Sequence, residues 1–151
     1  MMKGTLLAVM IGTAALGAGT EYQPPPAPAS KPSRAAEWFA KGKTALDAKD
    51  FAQAEKCFTE ANRIEPNKPE TLNELAFSQR KNGKLDEAIA NYGKALKLRP
   101  KFAEAREYLG EAHIQAALRE IETLKGYGGQ GKEQLEDLVK ALKNAAQSVN
   151  P

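Results

Sequence analysis

The fold is decided by two consecutive stretches of sequence, AAEWFAKGKTALDAKDFAQAEKCFTEANRIEPNK (residues 35–68) and PETLNELAFSQRKNGKLDEAIANYGKALKLRPKF (residues 69–102). The two stretches align without a gap at a period of about 34 residues. Bulky residues, small residues and a proline near the end of each stretch occupy the same positions in the alignment. The aligned pairs are Trp38 with Leu72, Gly42 with Ala76, Ala54 with Ala88, Phe58 with Tyr92, Ala61 with Ala95 and Pro66 with Pro100. The sequence therefore contains two consecutive copies of one structural unit.

Each unit has the pattern of two amphipathic helices joined by a short turn. The small residues let two backbones approach closely, and the bulky residues fill the space that remains between them. Pro66 and Pro100 end the second helix of each unit, because proline lacks the amide donor and clashes with the preceding turn. A single helix pair cannot bury its apolar face alone, so such units stack on one another.

The unit length and these positions resemble the tetratricopeptide-repeat family. The resemblance covers both units (residues 35–68 and 69–102) and fades after about residue 112. It implies an all-α fold, a short helical solenoid of stacked antiparallel helix pairs whose first helices form a concave surface. It also implies a module that binds other proteins.

Several residues mark where these helices begin. Ser33 is the expected cap of the first helix, and Asp50 with Gln53 forms a capping-box pattern at the start of the second. Pro69 suits the first position of the third helix. Asn82-Gly83 is a turn signal before the fourth helix, which we expect over residues 85–98.

Residues 103–151 are expected to form a degenerate third repeat and a capping helix. Leu109 and Gly110 stand at the bulky and small positions, but no Gly, Pro, Asn or Asp interrupts residues 111–125. One long helix is therefore predicted there, with a hairpin as the alternative. Its second half is expected to pack on a helix over residues 131–148, through the apolar residues Ala117, Leu118, Ile121, Leu124, Leu135, Leu138, Val139 and Leu142.

Residues 1–18 (MMKGTLLAVMIGTAALGA) have the plan of a secretory signal peptide, with one positive charge, an apolar run and small residues after it. The run is short for a membrane span, so we expect export to the periplasm or the extracellular space. An anchor formed by residues 4–18 is the alternative. Residues 19–34 contain five prolines and predict an extended linker.

Composition and motifs argue against several other functions. The 22 basic and 19 acidic residues give a formal net charge of +3, and they are interleaved, which does not favour nucleic-acid binding. Cys57 and His113 are the only Cys and His, which is too few for a metal site or a Cys–His nucleophile pair. The stretch GYGGQGKE (residues 126–133) lacks the Ser or Thr of a phosphate-binding loop and does not follow a predicted strand. We therefore expect no enzyme activity, no cofactor and no metal.

The resemblance implies which residues line the concave surface: Phe39, Lys43, Leu46, Asp47, Glu70, Asn73, Glu74, Phe77, Arg80, Lys81, Glu104, Glu107, Tyr108 and Glu111. The predicted protein-binding residues among them are Phe39, Lys43, Asn73, Phe77, Arg80, Lys81, Glu107 and Glu111. Phe39 and Phe77 are large apolar side chains that the fold is not expected to need for its core, and aromatic residues near arginine often anchor an interface. The charge is expected to run from Lys43, Arg80 and Lys81 to the acidic residues of the third repeat, which suits a partner segment of mixed charge.

One subclass of the family can be tested residue by residue. Chaperone-tail receptors of this family hold a C-terminal carboxylate with a Lys/Asn pair, a further Asn and a Lys/Arg pair. The matching positions here are Phe39, Lys43, Glu74, Glu104 and Tyr108. Only one of the five is basic and two are acidic, so this chain is not expected to bind a terminal carboxylate.

The sequence thus predicts a non-catalytic adaptor that binds a peptide or helix of an exported or envelope protein in its concave groove. The alternative is a self-assembling scaffold, a homo-oligomer built by stacking the ends of short solenoids. A polar outer face on the helix over residues 131–148 argues against such stacking, because terminal caps of repeat arrays are polar. No nucleic acid and no membrane contact beyond a possible N-terminal anchor are expected.

Overall fold

The structure, a computed structural model, describes residues 32–149. These residues form six helices and one short 3-10 turn: α1 (Arg34–Asp47), α2 (Phe51–Ile64), α3 (Pro69–Lys81), α4 (Leu85–Leu98), α5 (Ala103–Gly126), the turn Gly128–Gly131 and α6 (Lys132–Ser148). Helices α1 and α2 pack as one pair and α3 and α4 as the next, while α5 packs on α4 and α6 on α5. The predicted all-α solenoid is confirmed for this part of the chain.

The first three helices begin where the capping residues predicted. The Ser33 hydroxyl accepts a hydrogen bond from the amide of Ala36 at 3.1 Å, and the Asp50 carboxylate accepts one from the amide of Gln53 at 2.9 Å. The returning half of the capping box is absent, since the Gln53 side-chain amide instead donates to Cys57 Sγ at 3.4 Å. Pro69 stands at the start of α3, where a missing amide costs nothing.

The two helix pairs are built around one buried aromatic ring each. Phe58 on α2 is fully buried and lies against the backbone of α1 at Gly42, where a Cβ atom would come within 2.6 Å of the ring. In the second pair, Ala76 on α3 and Tyr92 on α4 take the matching positions and are also fully buried. Two of the coincidences in the sequence repeat, Gly42 with Ala76 and Phe58 with Tyr92, therefore mark where the two helices of each pair pack together.

The turn inside each pair needs one residue with left-handed backbone. Gly83 has a φ of 80° there, and in the first pair Lys49, at the aligned position, has a φ of 58°. Glycine adopts this conformation without a steric penalty, whereas a side chain at Lys49 makes it costly. The first pair therefore makes the same turn as the second with a less suitable residue.

The third repeat is a single helix, as predicted, because α5 continues without a break for 24 residues. Ala117, Ile121 and Leu124 on its second half are partly buried. The expectation that Leu118 packs against the last helix is wrong, since this side chain is 53% exposed. Helix α6 has no fully buried residue, so the C-terminal pair covers its apolar face less completely than the two pairs before it.

No helix within residues 32–149 combines the length and the apolar character that crossing a membrane requires. The predicted signal peptide (residues 1–18) lies outside the described residues. So does most of the predicted linker (residues 19–34), whose last residue, Arg34, already belongs to α1. Both assignments stay predictions.

We predict that Gly42→Ala lowers the free energy of unfolding by about 1–3 kcal/mol, because the added methyl group overpacks the Phe58 ring. Gly93→Ala in α4 is the matched control. A Cβ there meets nothing within 4 Å, and alanine favours a helix over glycine by about 0.5–1 kcal/mol, so this variant should be more stable. Urea denaturation measures both changes. Equal effects at the two positions would contradict the close approach of α1 and α2.

Candidate functional site

The first helices of the three repeats, α1, α3 and α5, together line a depression of about 220 Å³. Its walls are the side chains of Lys43, Leu46 and Asp47 on α1, Glu74 and Phe77 on α3, and Glu104 and Tyr108 on α5. We call this depression the central groove. All three repeats contribute to it, so it exists only because the helix pairs stack in register.

The floor of the central groove is aromatic. The rings of Phe77 and Tyr108 have centroids 5.2 Å apart, and both residues are partly exposed. Behind them lies the fully buried Tyr92, whose ring centroid is 6.1 Å from that of Tyr108, while Phe51 of α2 meets Phe77 edge-on at 6.3 Å. Packing against the buried Tyr92 and the partly buried Phe51 fixes the orientation of the two groove aromatics in the unbound chain.

Two ion pairs cross the inner face between neighbouring repeats. Lys43 Nζ donates to Glu74 Oε1 at 3.0 Å, which joins α1 to α3. Arg80 Nη2 lies 2.7 Å from Glu111 Oε2, which joins α3 to α5. The Arg80 side chain is only 4% exposed, whereas that of Glu111 is 46% exposed. Two of the three basic residues in the expected charge gradient, Lys43 and Arg80, are thus already paired within the chain.

The Arg80 guanidinium also lies over the aromatic floor. Its carbon is 5.4 Å from the ring centroid of Phe77 and 5.6 Å from that of Tyr108. Lys81 adds a second cation, with its ammonium 5.3 Å from the Phe77 ring. These distances are within the range in which a cation is attracted to the face of an aromatic ring.

The surroundings of the two tyrosines affect their ionisation. Burial raises the pKa of Tyr92 to about 12, and the nearby Arg80 guanidinium, which favours the phenolate, offsets only part of this effect. Burial likewise raises the pKa of Tyr108, and the carboxylate of Glu104 raises it further. The phenol of Tyr108 is therefore neutral at physiological pH, and Glu104 is the carboxylate that affects it most.

The structure corrects the prediction for three of the proposed binding residues. Asn73 is 1% exposed and Arg80 is 7% exposed, so neither offers its side chain to a partner in this structure. Phe39 does not reach the central groove. It packs edge-on against Phe58, with ring centroids 5.4 Å apart, and borders a separate depression of about 260 Å³ with residues of α2 and α3.

The expectation that Phe39 and Phe77 are not needed for the core is also wrong. Both rings are partly buried and pack against buried core residues. Of the remaining predicted residues, Lys43, Lys81, Glu107 and Glu111 are exposed on the inner helices, although Lys43 and Glu111 are engaged in ion pairs. Phe77 and Lys43 are the two predicted residues that the structure places in the central groove.

Five groove residues were absent from the predicted binding set: Leu46, Asp47, Glu74, Glu104 and Tyr108. All five stand at concave positions by the register of the repeat, so the signal was present in the sequence. The sequence did not reveal that Arg80 pairs with Glu111 and is almost fully buried, which removes Arg80 from the accessible surface.

Comparison with known proteins gives consistent matches. Family models described as TPR repeat or tetratricopeptide repeat match residues 38–68, 57–90 and 79–116. A TPR repeat-containing protein of Methanocaldococcus jannaschii is 38% identical over 61 residues. That match covers 40% of this chain and 11% of the relative, so the chain spans only about a tenth of the relative's length.

Three solved structures share the fold. The TPR2B domain of yeast Sti1 in a pHsp70 complex is 24% identical with a TM-score of 0.53, covering 69% of this chain and 91% of that one. The first TPR of Spaghetti (RPAP3), bound to the HSP90 peptide SRMEEVD, is 17% identical with a TM-score of 0.54, covering 73% and 94%. The Sgt2 TPR domain from Aspergillus fumigatus is 23% identical with a TM-score of 0.55, covering 83% and 91%. At these identities the likeness establishes the fold.

We predict that Glu111→Gln lowers the free energy of unfolding by about 1–2 kcal/mol, because it leaves the buried Arg80 without its counter-charge. The figure is below that for a fully buried pair, since Glu111 is partly exposed. Glu107→Gln, one turn earlier on α5, is the control: Glu107 has no ion pair within residues 32–149, and its loss should cost less than about 0.5 kcal/mol. Equal urea midpoints for the two variants would contradict the structural role of the Arg80–Glu111 pair.

Proposed function

The chain belongs to the tetratricopeptide-repeat family, and from that premise we propose that it is a non-catalytic adaptor which binds a segment of another protein in the central groove. The observation that carries this proposal is the aromatic floor of Phe77 and Tyr108, which remains partly exposed although the rings are fixed from behind. Two of the fold's neighbours, those of yeast Sti1 and of Spaghetti, are described in complexes with pHsp70 and an HSP90 peptide.

The size of the groove indicates what kind of segment it accepts. A depression of about 220 Å³ is smaller than the roughly 300–1,000 Å³ of most small-molecule pockets. It has room for one or two side chains, while the rest of an extended peptide or helix would lie along α1, α3 and α5. Modest affinity is expected, since a short array offers a small contact area.

The ion pair between Lys43 and Glu74 argues against binding of a terminal carboxylate. Lys43, the only basic residue at the five positions that match a carboxylate clamp, is held by Glu74 at 3.0 Å. A terminal carboxylate would have to displace Glu74 and would meet Glu104 across the groove. An internal segment of the partner avoids this repulsion, so we propose that the adaptor recognises an internal peptide or helix.

The proposal is tested by photocrosslinking in the native host. A photoreactive amino acid replaces Lys81, which is exposed beside the groove with its ammonium 5.3 Å from the Phe77 ring, and in a matched chain it replaces Glu133, which is exposed on α6 away from the groove. We expect a discrete adduct with another protein from position 81 and none from position 133. Adducts from position 133 alone would refute groove binding.

The same experiment addresses the scaffold alternative. An adduct between two copies of this chain, from either position, would favour a homo-oligomer over an adaptor. The exposed charged residues of α6, which include Lys132, Glu133, Glu136 and Asp137, support a monomeric array because they leave a polar outer face at the C-terminal end.

We also propose that the chain is exported, on the strength of the signal-peptide pattern of residues 1–18. Expression of the full chain with a C-terminal tag in the native host should yield a product cleaved near Ala18, in the periplasm or the medium. Mass spectrometry of the purified product gives its N-terminus. An intact Met1 in a membrane-bound product would favour the anchor formed by residues 4–18.

A further inference from the structure

The side chains that line the central groove carry more negative than positive charge. Three carboxylates line it, those of Asp47, Glu74 and Glu104, against the single ammonium of Lys43. Because Lys43 is paired with Glu74, the carboxylates of Asp47 and Glu104 remain. Neither of them has an ion pair within residues 32–149. The expected gradient from basic to acidic residues is thus replaced by a groove with a net acidic rim.

Cations nearby compensate only part of this negative charge. Arg80 is almost fully buried and is bound by Glu111, so its charge is neutralised beside the groove. Lys81 is exposed, with its ammonium 5.3 Å from the Phe77 ring, and this one positive charge stands against the two carboxylates of Asp47 and Glu104. Asp47 is the last residue of α1, where the helix dipole adds partial negative charge. Burial is the main reason why the pKa of Tyr108 is raised, and the nearby carboxylate of Glu104 adds to the effect.

The floor of the groove also favours a positive charge. Aromatic faces attract cations, and Arg80 already lies within 5.6 Å of both ring centroids. Phe77 and Tyr108 therefore provide apolar contact for an alkyl chain and electrostatic attraction for its charged end. Carboxylates at the rim and aromatic rings at the floor together match the two parts of a lysine or arginine side chain.

We propose, building on groove binding as the function, that the partner is recognised by a basic side chain, Lys or Arg, of an internal segment. Its aliphatic stem packs on Phe77 and Tyr108, and its cationic end pairs with Asp47 and Glu104. The preference is opposite in charge to the acidic HSP90 peptide SRMEEVD seen on the Spaghetti neighbour. An acidic segment would meet the two rim carboxylates and be repelled.

The test is selection from a random peptide library displayed on phage, with the full chain immobilised. Counter-selection uses the Glu104→Cys variant, labelled at position 104 with a bulky thiol-reactive compound that blocks the groove. The native Cys57 is 1% exposed and does not compete for the reagent. Peptides that bind the open chain but not the blocked chain are sequenced, and the frequencies of Lys and Arg are compared with those of Asp and Glu.

The proposal predicts several-fold enrichment of Lys and Arg in the selected peptides. For the best peptide, Asp47→Asn with Glu104→Gln should weaken binding about tenfold, the scale expected for two exposed charge contacts. Glu133→Gln with Asp137→Asn on α6 makes the same change in net charge and should leave the affinity unaltered. Fluorescence anisotropy at low and physiological salt measures both, and the preference should weaken with salt.

The outcomes separate this inference from the proposed function. Groove-dependent peptides that are acidic or uncharged would overturn the charge preference while groove binding stands. Equal loss of affinity in the groove and α6 double variants would overturn it as well, since net charge alone would then explain the effect. No groove-dependent peptide at all would count against both the inference and the function.

Discussion

The structure depends on the close approach of paired helices at one small residue. In the first pair the Phe58 ring rests on the backbone at Gly42, and in the second the Tyr92 ring takes the same place beside Ala76. Buried aromatic rings at these positions fix how far apart the two helices of a pair lie. Because the pairs have the same geometry, they stack, and α1, α3 and α5 come to lie side by side. The central groove is the consequence of that stacking.

Electrostatics then decide which part of the inner surface remains available. The pairs Lys43–Glu74 and Arg80–Glu111 each join one repeat to the next, so they contribute to the register of the stack as well as to its charge. Burying an arginine is costly unless its charge is compensated, which makes the second pair a structural requirement. With these basic residues engaged, Asp47 and Glu104 are the charged residues that line the groove without an ion pair within residues 32–149.

Much of the fold could be predicted from the sequence because its signals are local or periodic. The caps Ser33 and Asp50, the prolines and the repeated small residues placed the helices to within two residues, and the missing turn signal correctly predicted a continuous α5. The pairing of Arg80 with Glu111 and the burial of Asn73 were not predictable, since both depend on how neighbouring helices are rotated against each other. Leu118 was misplaced for the same reason, as α6 covers only part of the second half of α5.

We propose that a partner binds between α1, α3 and α5 and not elsewhere on the solenoid. Nuclear magnetic resonance tests this most directly, by recording amide shifts of the isotope-labelled chain as a groove-dependent peptide is added. We expect the largest shifts at Leu46, Phe77, Glu104 and Tyr108. Shifts concentrated on the outer helices α2 and α4, or on α6, with these four residues unchanged, would contradict it.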